Sequence, residues 1–324
     1  MAKIKTGIIG AAGYTAGELF RILINHPEVE IVFAHSNSNA GNPVYDVHTD
    51  LIGETDIVFT DKLKLNKVDV IFLCMGHGVS KTFLEENEVP ESVKIIDLST
   101  DFRHKAEGND FVYGLPELNG ETIKTCNKLA NPGCFATSIQ LALLPLAAKG
   151  VLHSEVHVNA ITGSTGAGQK PTGTTHFSWR NNNISVYKAF GHQHLKEITE
   201  SVVQLQSDYK HAINFVPVRG DFARGIMAAV YTECDLPEET LKALYADYYA
   251  EHAFTHAVNK NPHLKQVVNT NKAVVFVEKH GNKAFIISMI DNLLKGASGQ
   301  AVENMNLMFG LDQKTGLNLK PAAF

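Results

Sequence analysis

The sequence contains no apolar run close to the roughly 18 residues that a membrane-spanning helix needs. Its first ten residues also lack the basic segment, apolar core and cleavage site of an export signal. These absences predict a cytoplasmic protein with no membrane partner. Charge is sparse as well, since 19% of the residues are charged and the formal net charge is −5. The chain lacks the basic surplus that attracts nucleic acid, so we expect small-molecule partners.

Cysteine is also scarce, with four residues at irregular spacing among 324. This pattern favours free thiols over a disulfide framework. Cys74 and Cys234 end apolar runs and are expected to be small buried hydrophobic residues, whereas Cys126 lies among polar residues. His192 and His194 form a pair, but no Cys, Asp or second histidine cluster accompanies them at ligand spacing. We therefore predict no metal site.

The N-terminal segment has the pattern of a β-α-β unit with a glycine-rich first turn. Residues 5–9 and 29–34 are typical of buried strands, and residues 15–25 of an amphipathic helix. Gly10 and Gly13 lie in the intervening turn, where glycine lets backbone N–H groups approach a pyrophosphate at the helix N-terminus. Such glycines also occur in plain tight turns, but their position between strand and helix predicts dinucleotide binding.

The residues after the second predicted strand indicate which dinucleotide is bound. An NAD site usually has Asp or Glu there to bind the ribose hydroxyls. This chain has Ser36, Asn37 and Ser38 instead. Because short hydroxyl and amide donors bind a 2′-phosphate and no carboxylate repels it, we predict NADP. A polar loop without this role is the alternative.

Two further apolar segments, at residues 68–73 and 93–98, continue the parallel-strand pattern. The loops that follow them would face a ligand at the carboxyl edge of the sheet. The second loop contains Arg103, a suitable bidentate anchor for an anionic substrate, although an ion pair with Asp101 would also explain it.

The sharpest local signal is the heptapeptide NPGCFAT at residues 131–137, which leads directly into an apolar, helix-like run at residues 139–148. Cys134 would lie in the first turn of that helix. The exposed N–H groups and the positive end of the helix dipole there favour thiolate over thiol. The motif therefore predicts a cysteine nucleophile, and a buried structural cysteine is the alternative.

A cysteine nucleophile usually works with an imidazole, and the densest histidine segment holds His192 and His194 at the start of another predicted helix. Glu197 follows His194 by one helical turn and is placed to orient that ring. The sequence leaves open which histidine acts, or whether both are simply solvated. The donor-rich loop at residues 162–170 suits an oxyanion or phosphate, or serves as a flexible linker. No Walker lysine motif is present, which argues against a nucleoside triphosphatase.

Together these segments resemble the N-acetyl-γ-glutamyl-phosphate reductases of arginine biosynthesis, which are related to aspartate-semialdehyde dehydrogenases. The resemblance spans essentially the whole chain. It rests on residues 10–19, 97–103, 113–117, 131–134 and 291–301. The cysteine motif and the C-terminal segment are the most specific of these.

The resemblance implies an α/β plus α+β fold with two domains. A Rossmann NADP-binding domain is expected over residues 1–143 and 296–324. A second, mixed-sheet domain for substrate binding, catalysis and oligomerisation is expected over residues 144–295. A homo-oligomer, either dimer or tetramer, follows by analogy.

The resemblance also assigns site residues. Catalytic roles are expected for Cys134, His192, His194 and Glu197. Cofactor contacts are expected at Gly10, Ala12, Gly13, Tyr14, Thr15, Ser36, Ser38, Gly76, Asn292, Gly296 and Gln300. Substrate contacts are expected at Ser99, Arg103, Asn131, Ser164 and Gly166. The implied reaction is the NADPH-dependent reduction of N-acyl-L-glutamyl 5-phosphate to the 5-semialdehyde, through a thioester on the cysteine.

The sequence departs from the family pattern in three places. The family usually has Arg after the first histidine, Pro before the glutamate and Arg in the glycine-rich loop, where this chain has Gln193, Lys196 and Gln169. These changes affect the expected acyl-group contacts, so both N-acetyl and N-succinyl substrates stay open. The alternative functions are an aspartate-semialdehyde dehydrogenase-like reductase and a non-catalytic NADP-binding sensor.

Overall fold

The computed structural model describes residues 2–322, and the chain divides into two compact units. The first unit runs to Pro132 and resumes over Ala297–Asn318, and the second comprises Gly133–Gly296 with the residues from Leu319 onward. These bounds differ from those expected from the sequence. Residues 133–143 belong to the second unit because the helix that contains them buries its apolar side chains in that unit's core.

The first unit is built on one seven-stranded sheet. Its elements, numbered along the whole chain, are β1 (Ile4–Ile9), α1 (Tyr14–Leu23), β2 (Val29–His35), β3 (Phe59–Thr60), β4 (Val70–Leu73), α2 (Val79–Glu86), β5 (Lys94–Asp97), β6 (Val112–Tyr113), α3 (Pro116–Thr125), β7 (Lys128–Ala130) and, near the C-terminus, α8 (Ser298–Met308). The strand order is β3-β2-β1-β4-β5-β7-β6, and all neighbouring pairs are parallel.

The sequence pattern explains why this sheet forms. All four residues of β4 are apolar and buried, as is typical of parallel strands that are covered on both faces. The helix α1 is amphipathic and buries Leu19, Phe20 and Leu23. Since β1 lies between β2 and β4, the loops that follow these three strands emerge side by side at the carboxyl edge. The expected α/β dinucleotide-binding architecture is confirmed.

The second unit contains a mixed sheet of seven strands. Its elements are α4 (Cys134–Lys149), β8 (Val156–Thr162), α5 (Phe177–Arg180), β9 (Ser185–Val186), α6 (His194–Leu205), β10 (Ile213–Arg219), β11 (Ile226–Glu233), α7 (Glu238–Tyr249), β12 (Thr255–Val258), β13 (Ala273–His280) and β14 (Lys283–Ile290). The order is β12-β13-β14-β11-β8-β10-β9. The pairs β8–β10 and β12–β13 are parallel and the others antiparallel, which confirms the expected mixed sheet.

Strand β11 shows how the core of the second unit is made. Its side chains alternate between buried and more exposed positions, so the sheet presents one strongly apolar face. The buried residues of this face pack with those of α4, α6 and α7 in a single cluster. The helix α4 is buried continuously from Phe135 to Ala147 because it lies in the middle of that cluster.

A proline inside α4 is accommodated by a partner from α7. Pro145 has no backbone N–H, so the carbonyl of Leu141 loses its usual helical partner. The hydroxyl of Tyr249 donates to that carbonyl at 2.5 Å, and Tyr245 donates to the neighbouring carbonyl of Ala142 at 2.6 Å. These two bonds fix the helix that begins at Cys134.

Across residues 2–322, no helix is long and apolar enough to cross a membrane. The four cysteines are free thiols. Cys234 is buried, as expected, whereas Cys74 is only half-buried. Burial nevertheless raises the pKa of the Cys74 thiol to about 12, which leaves it protonated and unreactive near neutral pH.

Candidate active site

Cys134 is the first residue of α4 and follows Gly133, whose backbone is extended. The N–H groups of the first helical turn, which have no carbonyl four residues earlier within the helix, therefore surround the half-buried cysteine. The structure places the cysteine at a helix N-terminus, as the motif predicted.

A single buried carboxylate joins the backbone beside this cysteine to an imidazole. The N–H of Gly133 donates to Oε2 of Glu197 at 2.9 Å. Oε1 of Glu197 lies 3.9 Å from Nε2 of His194, the first residue of α6. A Cβ atom on Gly133 would overlap the His194 ring, so glycine is needed for this close approach. The structure therefore brings together Cys134, His194 and Glu197.

His192 lies against His194 but in a different chemical environment. The ring centroids are 4.6 Å apart, and Nδ1 of His192 accepts the backbone N–H of His194 at 3.2 Å. Burial, and then the charge of Lys188, lower the pKa of His192 to about 4, against an opposing effect of Glu197. His192 is therefore neutral near pH 7. Since Nδ1 is the acceptor, its proton is on Nε2.

Gly296, the last residue of the segment Gly133–Gly296, lies beside Cys134. Its N–H donates to the carbonyl of Asp291 at 2.9 Å. A Cβ atom on Gly296 would lie only 2.8 Å from Cβ of Cys134. Glycine at this position therefore allows the backbone to pack directly against Cys134.

Asn292 has its side chain engaged inside the second unit. Its Oδ1 accepts the N–H of Gly225 at 2.7 Å, and its Nδ2 donates to Oγ1 of Thr165 at 3.0 Å. Asn292 therefore fixes the donor-rich loop at residues 162–170. Within this loop, Ser164 and Gly166 belong to one turn of 3-10 helix. The N–H of Ser164 donates to the carbonyl of Phe222 at 2.8 Å, so this loop is anchored to its neighbours.

In the first unit, the glycine-rich turn has the geometry of a dinucleotide cradle. Gly10 has a φ of +77°, and a Cβ atom there would meet the carbonyl of Cys74 at 2.9 Å. Both the conformation and the close approach require glycine. The turn continues through Ala12 and Gly13 into the N-terminus of α1 at Tyr14 and Thr15, where backbone N–H groups are free to bind phosphate.

The predicted ribose-phosphate residues lie next to this turn. The amide of Asn39 donates to Oγ of Ser36 at 3.2 Å and to Oγ of Ser38 at 3.0 Å, which fixes both hydroxyls after β2. Gly76 is exposed in the loop after β4. These positions flank the end of β1 on its two sides, so the residues present fit a nicotinamide dinucleotide.

One residue that supports the cradle was not predicted. His48 is buried, and its Nε2 lies 2.8 Å from the carbonyl of Ala11 in the glycine-rich turn. Its ring packs between Phe20 and Phe59, at centroid distances of 5.6 and 6.2 Å. It lies 37 residues from Ala11 in the sequence, in a segment with no motif, so no local signal indicates it.

Arg103 holds the backbone that leads to the cysteine. Its Nε donates to the carbonyl of Asn131 and its Nη2 to that of Leu98, both at 2.9 Å. Its predicted alternative partner, Asp101, instead accepts the N–H groups of Gly78 and Lys81 at the start of α2, at 2.6 and 3.0 Å.

Ser99, Asn131 and Gln300 are buried in the first unit. Oγ of Ser99 donates to Asp97 at 2.7 Å. The amide of Asn131 donates to the carbonyl of Ala297 at 3.0 Å and accepts from Asn304 at 3.1 Å. Polar side chains thus fill the region beyond β5 and β7.

Comparison with known families places these features in one class. A model described as "Semialdehyde dehydrogenase, NAD binding domain" matches residues 5–126, and one described as "Semialdehyde dehydrogenase, dimerisation domain" matches residues 134–292. The chain is thus an oxidoreductase of the semialdehyde dehydrogenase class, with a dinucleotide-binding domain and a dimerisation domain.

Curated relatives show which family of the semialdehyde dehydrogenase class the chain belongs to. An N-acetyl-gamma-glutamyl-phosphate reductase of Azobacteroides pseudotrichonymphae is 62% identical over 321 residues, which cover 99% of this chain and 100% of that protein. Proteins of the same name from Phocaeicola vulgatus and Bacteroides thetaiotaomicron are each 60% identical with the same coverage. The chain belongs to the N-acetyl-γ-glutamyl-phosphate reductase family, and the resemblance seen in the sequence is confirmed.

Solved structures of low sequence identity share the fold. Aspartate semialdehyde dehydrogenase II from Vibrio cholerae, complexed with ASA, has a TM-score of 0.76 at 17% identity and covers 96% of this chain and 99% of its own. Aspartate semialdehyde dehydrogenase from Candida albicans, solved with NADP, has a TM-score of 0.69 at 15% identity, covering 95% and 99%.

Proposed function

We propose that this chain reduces an N-acyl-L-glutamyl 5-phosphate to the N-acyl-L-glutamate 5-semialdehyde and phosphate, as a step of arginine biosynthesis. The observation that carries the proposal is Cys134 at the start of α4 with His194 and Glu197 beside it. The names of relatives at about 60% identity over almost the full chain support the substrate class.

We further propose NADP as the cofactor, held by the glycine-rich turn through Gly10, Gly13 and Thr15, with Ser36 and Ser38 binding the 2′-phosphate. The amide of Asn39 fixes the hydroxyls of Ser36 and Ser38, and residues 36–39 contain no carboxylate that would repel the phosphate. Both observations support NADP over NAD. The reduced nicotinamide, when bound, supplies a hydride. Of the other positions expected at the cofactor, Gly296 lets the backbone pack directly against Cys134, and Asn292 acts by fixing the loop at residues 162–170.

In the first step, the Cys134 thiolate attacks the acyl carbon of the acyl phosphate. A carbon–sulfur bond forms as the carbon–oxygen bond to phosphate breaks, so inorganic phosphate leaves and a thioester remains on the cysteine. The N–H groups in the first turn of α4 stabilise the negative charge that develops on the acyl oxygen.

In the second step, the thioester carbon becomes tetrahedral and its oxygen carries negative charge. The His194 imidazolium donates a proton to this oxygen, and the imidazole takes the proton back as the carbon–sulfur bond breaks to give aldehyde and thiolate. His194 suits this role because its Nε2 lies 3.9 Å from Oε1 of Glu197, which is itself bonded to the backbone N–H beside the nucleophile. His192 is already neutral, with a pKa of about 4, and its Nδ1 orients the start of α6.

For the substrate side we propose Arg103, Ser99 and Asn131 in the first unit and the turn with Ser164 and Gly166 in the second. Arg103 is the anchor for the glutamyl carboxylate. Its buried guanidinium at the carboxyl end of the parallel sheet supports this role. The acyl group is N-acetyl or N-succinyl.

We also propose that the protein acts in the cytoplasm as a homo-oligomer, a dimer or tetramer, assembled through the second unit. The match of residues 134–292 to a dimerisation domain supports this assembly.

The reaction is tested in the reverse direction with purified protein, by following NADP⁺ reduction at a fixed phosphate concentration. N-acetyl- and N-succinylglutamate semialdehyde are compared with aspartate semialdehyde. We expect phosphate-dependent turnover of at least one N-acylglutamate semialdehyde, at a kcat/KM at least about 10³-fold above that for aspartate semialdehyde. A preference for aspartate semialdehyde, or cofactor binding without turnover of any of the three, would contradict the proposal.

A further inference from the structure

Two arginines in the second unit lie together at the edge formed by β9 and β10. Arg180 is 7% exposed and donates from Nη1 to the carbonyl of Arg219 at 3.0 Å. The guanidinium carbon of Arg219 lies 4.8 Å from the centre of the Tyr187 ring. Both arginines lie outside the motifs recognised in the sequence.

These two positive charges have no counter-ion in the part of the chain that the structure describes. Neither guanidinium lies within 4.0 Å of a carboxylate, and the Nε atom of each is buried without a hydrogen-bond partner. One acidic residue, Asp221, acts on Arg180 through space, but its carboxylate accepts the N–H of Asn182 at 2.7 Å. Burial, and then the charge of Arg219, lower the pKa of Arg180. Arg180 is buried and Arg219 is half-buried, and two adjacent like charges withdrawn from water are costly unless an anion compensates them.

The arginine pair is connected to the active site through one aromatic residue. The Arg219 guanidinium lies over the Tyr187 ring, and burial, followed by the charge of Cys134, raises the pKa of the Tyr187 hydroxyl to about 12. The Tyr187 ring also meets the His192 ring at a centroid distance of 5.8 Å. An anion bound by the two arginines would therefore belong to a molecule that also reaches the nucleophile.

The other arginine of this region is already neutralised. Arg224 forms two bonds to Asp291, at 3.0 and 3.1 Å. Arg180 and Arg219 are thus the guanidiniums of the second unit that have no carboxylate partner among the described residues. The Nη atoms of Arg180 donate to the carbonyls of Asn183, Arg219 and Thr174 and to Oγ of Ser185, so this side chain is held in place and contributes its positive charge. The planar guanidinium of Arg219 matches a carboxylate.

We propose that Arg180 and Arg219 bind the terminal carboxylate of a dicarboxylic N-acyl group, as in N-succinylglutamyl 5-phosphate. This inference rests on the proposed function, in which Arg103 binds the glutamyl carboxylate and the N–H groups in the first turn of α4 stabilise the acyl oxygen. An N-acetyl group ends in a methyl and leaves the two arginines uncompensated. A succinyl group ends in a carboxylate that accepts hydrogen bonds from Arg219 and is attracted by the positive charge of Arg180.

The test compares N-succinyl- and N-acetylglutamate semialdehyde in phosphate-dependent NADP⁺ reduction, with wild type, Arg219→Gln and Arg219→Lys. For wild type we expect kcat/KM to favour the succinyl substrate at least about 100-fold. In Arg219→Gln this ratio should fall at least about 30-fold, mainly through KM. Arg219→Lys should recover part of the loss. Lys260→Gln removes an exposed charge from the same unit and should keep the wild-type ratio.

The outcomes separate this inference from the proposed function. Turnover of the acetyl substrate at an equal or higher kcat/KM would overturn the inference and leave the function standing. An equal loss for both substrates in Arg219→Gln would also overturn it, since the arginine would then bind a group that the substrates share. If neither substrate reacts, both proposals fail. Calorimetry with N-succinyl- and N-acetylglutamate gives a second measurement, in which only the succinyl compound should lose affinity in Arg219→Gln.

Discussion

At the scale of single residues, two histidines in the same segment have different surroundings. His192 is enclosed by Phe135, Tyr187 and Phe215, and burial lowers its pKa to about 4. His194 lies 3.9 Å from the carboxylate of Glu197. The difference arises because α6 begins at His194, so the glutamate one turn later faces one imidazole while aromatic rings enclose the other. The sequence left open which histidine transfers the proton. We propose His194 from the surroundings of the two rings.

The pKa of His192 predicts how stability depends on pH. In the unfolded chain this histidine titrates near 6.5, whereas in the folded chain it titrates at about 4. Between these values the unfolded state binds more protons, so the free energy of unfolding falls as pH decreases from about 6.5 to about 4. The loss from this residue is up to about 3 kcal/mol. Denaturant unfolding at several pH values measures it.

The matched variants for this measurement are His192→Gln and His157→Gln, the latter on the exposed side of β8. The first should flatten the pH dependence between 6.5 and 4, and the second should keep the wild-type slope. A wild-type slope in His192→Gln would show that this histidine is not buried in its neutral form.

At the scale of elements, the turn after β2 connects local sequence to cofactor choice. The amide of Asn39 holds the hydroxyls of Ser36 and Ser38 together, and β2 pairs with β1 so that this turn lies beside the glycine-rich one. We expect wild type to prefer NADPH over NADH in kcat/KM by at least about tenfold.

A single charge in this turn tests the preference. In Ser38→Asp, repulsion of the 2′-phosphate should lower the NADPH:NADH ratio at least about tenfold, measured by steady-state kinetics and by cofactor binding. Ser207→Asp places the same charge on an exposed turn of the second unit and should keep the ratio. A preference for NADH in wild type would refute the NADP assignment.

Hydrophobic periodicity in the sequence was sufficient to predict the first strands and helix of the chain. The segments predicted at 5–9, 15–25 and 29–34 correspond to Ile4–Ile9, Tyr14–Leu23 and Val29–His35. The cysteine motif correctly predicted a helix that begins with Cys134. Tyr187, Arg180 and Arg219 could not be found this way, because the pairing of β9 with β10 brings distant segments together. No short-range pattern encodes that pairing.

At the scale of the whole molecule, the positions where the chain passes between units carry site residues. The chain enters the second unit at Gly133, next to Cys134, and leaves it after Gly296, whose missing side chain borders the same cysteine. The sequence suggested an end of the first domain at residue 143. The break comes earlier because α4 completes the core of the second unit. The nucleophile is therefore supported by that core, including the tyrosine bonds around Pro145.

The central claim is that the Cys134 sulfur carries the acyl group, and phosphate-free single turnover tests it most directly. Mixing wild type with NADP⁺ and an N-acylglutamate semialdehyde should give a burst of about one NADPH per active site, since no phosphate releases the thioester. Mass spectrometry should locate the acyl group on Cys134. Cys134→Ser should lose the burst and at least about 10³-fold in turnover while it still binds NADPH, and Cys126→Ser should retain both. An acyl group on another residue, or wild-type turnover in Cys134→Ser, would contradict the account.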